Sequence, residues 1–210
     1  MGIEQGSQDD PDDFAAARLA LRKAIAHFDE GAVSRDECGR FAEGKPQFEK
    51  LSLGKAEKWL VDAARDAGLD IGGFEHEITN EFVNHVINHH GNAKTEAARG
   101  LVAIGTEDFL RIPDVIRSPD FAIIGARRRG GDFMIYAKEM EDGTTLYLEE
   151  VLSGRNNRTL RGKTMYKFAG IPDVETMVSI ITNRDKTDIS KAKMIVGTGS
   201  QPGDKAVETI

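Results

Sequence analysis

The stretch from Phe121 to Phe168 constrains the fold most, because it switches repeatedly between period-two apolar patterning and turn chemistry. Residues 121–128 open apolar and β-branched, and Arg129-Gly130-Gly131-Asp132 makes a turn. Residues 133–140 alternate, with Phe133, Ile135 and Ala137 on one face and Met134, Tyr136 and Lys138 on the other. Asp142-Gly143 is a two-residue hairpin signal, since a tight hairpin needs positive φ at its centre. A third strand over 144–152, a polar loop at Arg155-Asn156-Asn157 and a fourth strand over 160–168 complete the series. Strands joined by such short links pair with their sequence neighbours, so the pattern predicts a four-stranded antiparallel meander.

Upstream, the apolar spacing is helical. It predicts a helix over 14–30 capped by Asp12 or Asp13, a low-hydrophobicity connector over 31–54, and a second helix over 55–67. A third helix over 75–90 stops at Gly91-Asn92. A fourth opens at Thr106-Glu107-Asp108, where a hydroxyl cap and acidic first-turn residues suit a helix start. Pro113 interrupts it, and Ser118-Pro119 ends it. Pro172 suits the first turn of a further helix reaching to 183, and periodicity is lost from Lys186 onward. The expectation is an α+β fold, N-terminal helices on one face of the meander. It divides into an acidic helical adaptor or linker (1–72), an α+β domain (73–184) and a flexible tail (185–210).

No run approaches the roughly 20 apolar residues that span a bilayer, and the polar start MGIEQGSQDDPDD does not read as a secretion signal. The single cysteine, Cys38, excludes an internal disulfide framework and a cysteine-rich zinc site. Hydrophobic residues make up 40% and mean hydropathy is −0.40, so the chain can bury a core. Net charge is −7, which opposes a broad nucleic-acid footprint, but it is unevenly spread. Residues 1–73 carry 15 acidic and 10 basic side chains, whereas residues 101–167 carry 10 acidic and 11 basic. The cationic groups therefore concentrate in the middle of the chain.

Three of the five histidines, His85, His89 and His90, fall on one predicted helix. His85 and His89 lie within about 40° of each other at the border of the apolar stripe, while His90 points toward its middle. The cluster admits four readings. It can be a solvated or cap-interacting set, a zinc pair at i,i+4 spacing, an acid–base pair with near-neutral intrinsic pKa, or, for His90, a packing residue. The zinc reading lacks the glutamate of an HExxH motif, since Val86, Ile87 and Asn88 intervene.

The run from His85 to Gly125 resembles the phage barnase–EndoU–colicin–RelE-like nuclease family. The elements that carry the resemblance are His85, His90-Gly91, Glu96 through Arg99-Gly100, Thr106 through Pro113, Pro119-Asp120 and, in the closing strand, Thr164-Met165-Tyr166. It covers residues 76–168. The resemblance implies a toxin-type endoribonuclease carried by a phage or mobile element, acting on RNA, tRNA among the candidates, with neither metal nor cofactor. It also implies an immunity protein or parent phage polypeptide as partner, and the cytoplasm of a bacterial host, reached by virion delivery, as the setting. The chemistry implied is attack of a ribose 2′-oxygen on the adjacent phosphorus.

On that resemblance His85 and His90 are the acid–base candidates, their roles undivided, with His89 a competitor outside the family pattern. Arg99 is the phosphate clamp, its alternative an i,i+3 pair with Glu96; Thr164 and Tyr166 share a strand face and are phosphate-binding candidates. Glu149 and Glu150 offer a carboxylate base, one of them expected to face solvent. Arg127, Arg128, Arg158, Lys163 and Lys167, with Arg129, Arg155 and Arg161, form a basic rim that can follow an RNA backbone, or else a set of solvated charges. The rival from another class is a non-catalytic phage structural or interaction module with the same fold.

Overall fold

The computed structural model describes residues 11–26, 34–35, 41–42, 49–154, 157–184, 186–197 and 206–208. The first ten residues, Cys38, Arg155 and most of the glycine-rich tail lie outside the described residues. So does Phe28, at the far end of the predicted first helix.

Among the described residues, ten strands and seven α-helices follow in chain order. They are α1 (Pro11–Ala26), β1 (Ser34–Arg35), β2 (Phe41–Ala42), β3 (Lys50–Lys55), α2 (Lys58–Asp66), β4 (Glu75–Thr79) and α3 (Asn80–His90). Next come α4 (Ala93–Ala97), α5 (Thr106–Phe109), α6 (Ile112–Arg117), β5 (Phe121–Arg128), β6 (Gly131–Met140), β7 (Gly143–Gly154) and β8 (Asn157–Phe168). The chain closes with α7 (Val174–Ser179), a π-helical turn (Ile180–Arg184), β9 (Lys193–Val196) and β10 (Ala206–Glu208).

The predicted meander is present as β5 to β8, and it forms the middle of a larger sheet of eight strands in the order β10-β9-β5-β6-β7-β8-β4-β3. Every neighbouring pair is antiparallel except β4 with β8, which run parallel over only Glu75–Glu77 and Thr159–Arg161. Three expectations need correction. Residues 75–79 are a strand, not the first turn and more of the His helix. The connector over 31–54 contains β3, and the tail contributes β9, which pairs with β5. The first helix also begins earlier than its expected cap, at Pro11, where proline's fixed φ suits a first helical position.

Alternation along the strands sorts side chains into two cores. One face carries Ile124, Met134, Tyr136, Tyr147 and Met165 and is covered by α1, α2, α3, α5 and α6. Leu53 of β3, with Leu60, Ala63 and Ala64 of α2, belongs to this same core, so packing shows no break at residue 73. The opposite face carries Ile123, Phe133, Ile135, Leu146, Leu148 and Phe168, and Leu101, Met177 and Ile181 cover it. The sheet is thus wrapped on both faces, not on one. Among the described residues, no helix is long and apolar enough to cross a membrane.

One irregularity positions the site. In β8, Thr164 pairs with Leu148 and Gly162 pairs with Glu149, leaving Lys163 as an extra residue in a β-bulge. A bulge reverses which face the following residues occupy. Gly162 therefore lies on the face of Tyr147 and Phe82, while Thr164, Tyr166 and Phe168 turn to the other. A side chain at 162 would collide, since an added Cβ would stand 2.8 Å from the Tyr147 hydroxyl and 3.2 Å from the Phe82 ring.

Candidate active site

The site begins where β4 leaves the sheet. The Thr79 hydroxyl accepts from the Phe82 N–H at 3.3 Å and so starts α3 one residue after the strand ends. Phe82, Val83, Val86 and Ile87 bury one side of α3 against the first core, and His90 is buried at its end. Because β4 pairs with so little of β8, α3 borders an open cleft of ≈ 650 Å³ instead of a continuous sheet. The histidines and Arg99 line one wall of the cleft. Glu150, Lys163, Thr164 and Tyr166 of β7 and β8 line the other, and Arg128 and Arg161 add charge.

All five expected catalytic residues, His85, His90, Arg99, Thr164 and Tyr166, therefore border one cavity. His90 is 6% exposed, its Nε2 lies 3.4 Å from Thr164 Oγ1, and its Nδ1 lies 3.4 Å from Glu96 Oε2. The Tyr166 ring meets it edge-on at 4.6 Å between centroids. His85 and His89 are exposed at the cleft mouth, with ring centroids 4.7 Å apart. Partial enclosure of the His85 ring, followed by the like charges of His89, His90, Lys163 and Arg128, pushes its pKa down to about 4. His85 is consequently neutral at physiological pH and able to accept a proton.

The cleft cations carry internal counterions. Arg99 donates to Glu96 at 2.6 Å, Arg161 to Glu77 at 2.8 Å, and Lys163 to Glu150 at 3.1 Å. Among the expected basic rim, Arg128, Arg161 and Lys163 line the cleft, whereas Arg127, Arg158 and Lys167 do not. Arg127 bonds Asp132 at 3.1 Å and its backbone bridges Asp188. Arg158 lies over the Phe74 ring and donates to the Gly72 carbonyl. Lys167 is 7% exposed and committed to Asp108 at 2.8 Å and Asp142 at 2.7 Å, so it tethers the β6–β7 turn to α5 and has no ammonium to offer a phosphate.

The two glutamates of β7 separate sharply. Glu150 reaches the cleft, but Glu149 is fully buried on the other side of the strand. Its carboxylate meets His76 Nδ1 at 2.8 Å and accepts from the Tyr136 hydroxyl at 3.0 Å and the Tyr147 hydroxyl at 3.2 Å. The expectation that Glu149 could serve as a base is corrected, since no substrate reaches it. Burial works against a proton on His76, but the charge and hydrogen bonding of Glu149 outweigh it and hold the imidazole above its ordinary range. Burial, with the neighbouring carboxylate, pushes both tyrosines well up. Sequence reasoning passed over His76. Glu96 entered the sequence reading as the first residue of the Glu-x-x-Arg-Gly element and as an i,i+3 partner of Arg99, with no link to His90.

A model of the family described as phage-Barnase-EndoU-ColicinE5/D-RelE like nuclease3 matches residues 54–175. No curated protein and no solved structure matches the chain. The matched segment exceeds half of the 210 residues and contains β4 to β8 together with every residue that lines the cleft. With the His-bearing helix and closing strand facing each other across that cleft, the chain belongs to the phage barnase–EndoU–colicin–RelE-like nuclease family.

Proposed function

We propose that the protein is a toxin-type endoribonuclease that cleaves RNA, tRNA among its candidate substrates, by 2′-OH transesterification without a metal ion. The observation that carries this is the convergence, on one cleft, of a neutral exposed histidine, a second histidine held between Glu96 and Thr164, and the cations Arg99, Arg128 and Lys163. His85 takes the 2′-hydroxyl proton, the 2′-oxygen attacks phosphorus, and the bond to the 5′-oxygen breaks. His90 delivers a proton to that departing oxygen, leaving a 2′,3′-cyclic phosphate. The cations balance charge on the pentacovalent phosphorus, where fixed donors in a partly dry site act more strongly than in water. A bound phosphodiester also offsets the positive neighbours of His85 and makes it a stronger base in the complex than in the free protein.

A second reading, a non-catalytic phage module, draws on the pairing of Arg99, Arg161 and Lys163 with glutamates, because an anion must displace those carboxylates to bind. Incubation of the purified protein with total RNA in EDTA separates the two. A ribonuclease leaves 2′,3′-cyclic ends, and His85→Ala or His90→Ala lowers the rate about 10²–10⁴-fold. Intact RNA with the wild type, or cleavage retained in both variants, favours the module.

A further inference from the structure

We propose that Glu96 is a positioning residue whose one buried carboxylate holds the His90 ring by Nδ1 and the Arg99 guanidinium together, so that His90 works through Nε2. The proposal rests on the ribonuclease reading of the same cleft. Glu96 is 1% exposed, and a carboxylate taken out of water must have its oxygens satisfied by protein donors. The two oxygens are divided: Arg99 Nη1 donates to Oε1 at 2.6 Å, and His90 Nδ1 faces Oε2 at 3.4 Å.

An ionised carboxylate only accepts hydrogen bonds, so the Nδ1 that faces it carries the hydrogen. The neutral His90 ring is then the Nδ1–H tautomer, the minor form of free histidine, and its lone pair sits on Nε2. That nitrogen lies 3.4 Å from Thr164 Oγ1 on the cleft wall, and the Thr164 hydroxyl donates to it when the cleft is empty. When His90 is doubly protonated for its role as acid, the same carboxylate stabilises the imidazolium, and the proton leaves from Nε2. The surroundings restrict any other arrangement. The Tyr166 ring packs edge-on at 4.6 Å, the Ile104 N–H donates to the His90 carbonyl at 2.8 Å, and the Arg99 and Leu101 N–H groups both donate to the Glu96 carbonyl at 2.9 Å. Acid and clamp are thereby referenced to a single residue on the short helix α4.

The test uses the full chain with ¹⁵N-labelled histidine and long-range ¹H–¹⁵N correlation, read on the alkaline side of the His90 titration. The wild type is expected to show His90 as the Nδ1–H tautomer. Glu96→Gln moves the population toward Nε2–H and lowers kcat about 10²-fold with a smaller change in KM. Glu96→Asp, which keeps the charge, retains the Nδ1–H pattern. A wild-type His90 protonated on Nε2, or a Glu96→Gln spectrum unchanged at His90, overturns the proposal. Should Glu96→Gln not fold, the wild-type tautomer decides alone. Failure of the ribonuclease reading looks different: the wild type leaves RNA intact while the tautomer pattern stands.

Discussion

Two histidines in this molecule, His85 and His76, are driven in opposite directions by their neighbours. His85 stands at the mouth of a cationic cleft, and partial enclosure with like charges pushes it down to about 4. His76 is sealed in the core against Glu149 and is held above its ordinary value despite its burial. The same side chain is thus kept neutral where a substrate can arrive and favoured in its charged form where none can. Proton affinity alone does not mark a functional histidine; access and the sign of the surrounding charge do.

The largest expected effect tests the sealed half of that contrast. Glu149→Gln strips the carboxylate from a fully buried imidazole and two tyrosyl hydroxyls and should cost about 3–5 kcal/mol in urea unfolding at neutral pH. His85→Gln, at an exposed position, should stay within about 0.5 kcal/mol. Equal losses at the two sites would erase the distinction between them.

A smaller effect is expected in the pH dependence of stability. The folded-state value of His76 is raised, so its stabilising contribution is complete below its ordinary value of 6.5 and is lost as pH rises through the raised one. His85 behaves oppositely. Its contribution is present above 6.5 and is lost as pH falls through about 4, reduced by solvent screening at that exposed position. Denaturation midpoints measured across pH should fall on both sides, and His85→Gln should flatten the segment between 6.5 and 4 while leaving the alkaline side unchanged. An acid side identical in wild type and variant would place His85 outside the depressed class.

The smallest effect concerns the internal counterions. Glu150→Gln frees Lys163, and RNA affinity, measured on a His85→Ala background to suppress turnover, should rise about 2–5-fold, as fits an exposed ion pair of under 1 kcal/mol. The salt dependence of binding should steepen, because one more phosphate can be neutralised. Weaker binding would mean that Glu150 contacts the RNA itself.

Local chemistry made the meander legible. Alternation in 133–140 assigned Phe133, Ile135 and Ala137 to one face and Met134 and Tyr136 to the other, as found. The β4 strand was misread because Ile78 and Phe82 also stand at i,i+4 spacing, so the helical pattern of α3 seemed to extend backward. Its true start was encoded in Thr79, whose hydroxyl caps the helix. Strand character in 75–79 comes from partners at 50–55 on one side and, for 75–77, at 159–161 on the other, which no local pattern displays. The candidate site divides in the same way. His85, His90 and Arg99 lie close in sequence on recognisable elements, whereas Lys167 looked like a free cation until Asp108 and Asp142 were brought to it. His76 acquires its meaning from a carboxylate 73 positions away, and its own neighbours give no hint of it.

The parallel seam between β4 and β8 has a consequence for how the molecule comes together. The hairpins of the meander close over a few residues each, but Glu77 must find Arg161 across 84 positions, so this pairing carries the larger loop-closure entropy. A chain holding only the meander has Lys163 and Thr164 in place and no histidine opposite them. The cleft therefore needs long-range closure, through this seam and through the packing of His90 on Thr164 and Tyr166, before the chemical groups on its two walls meet.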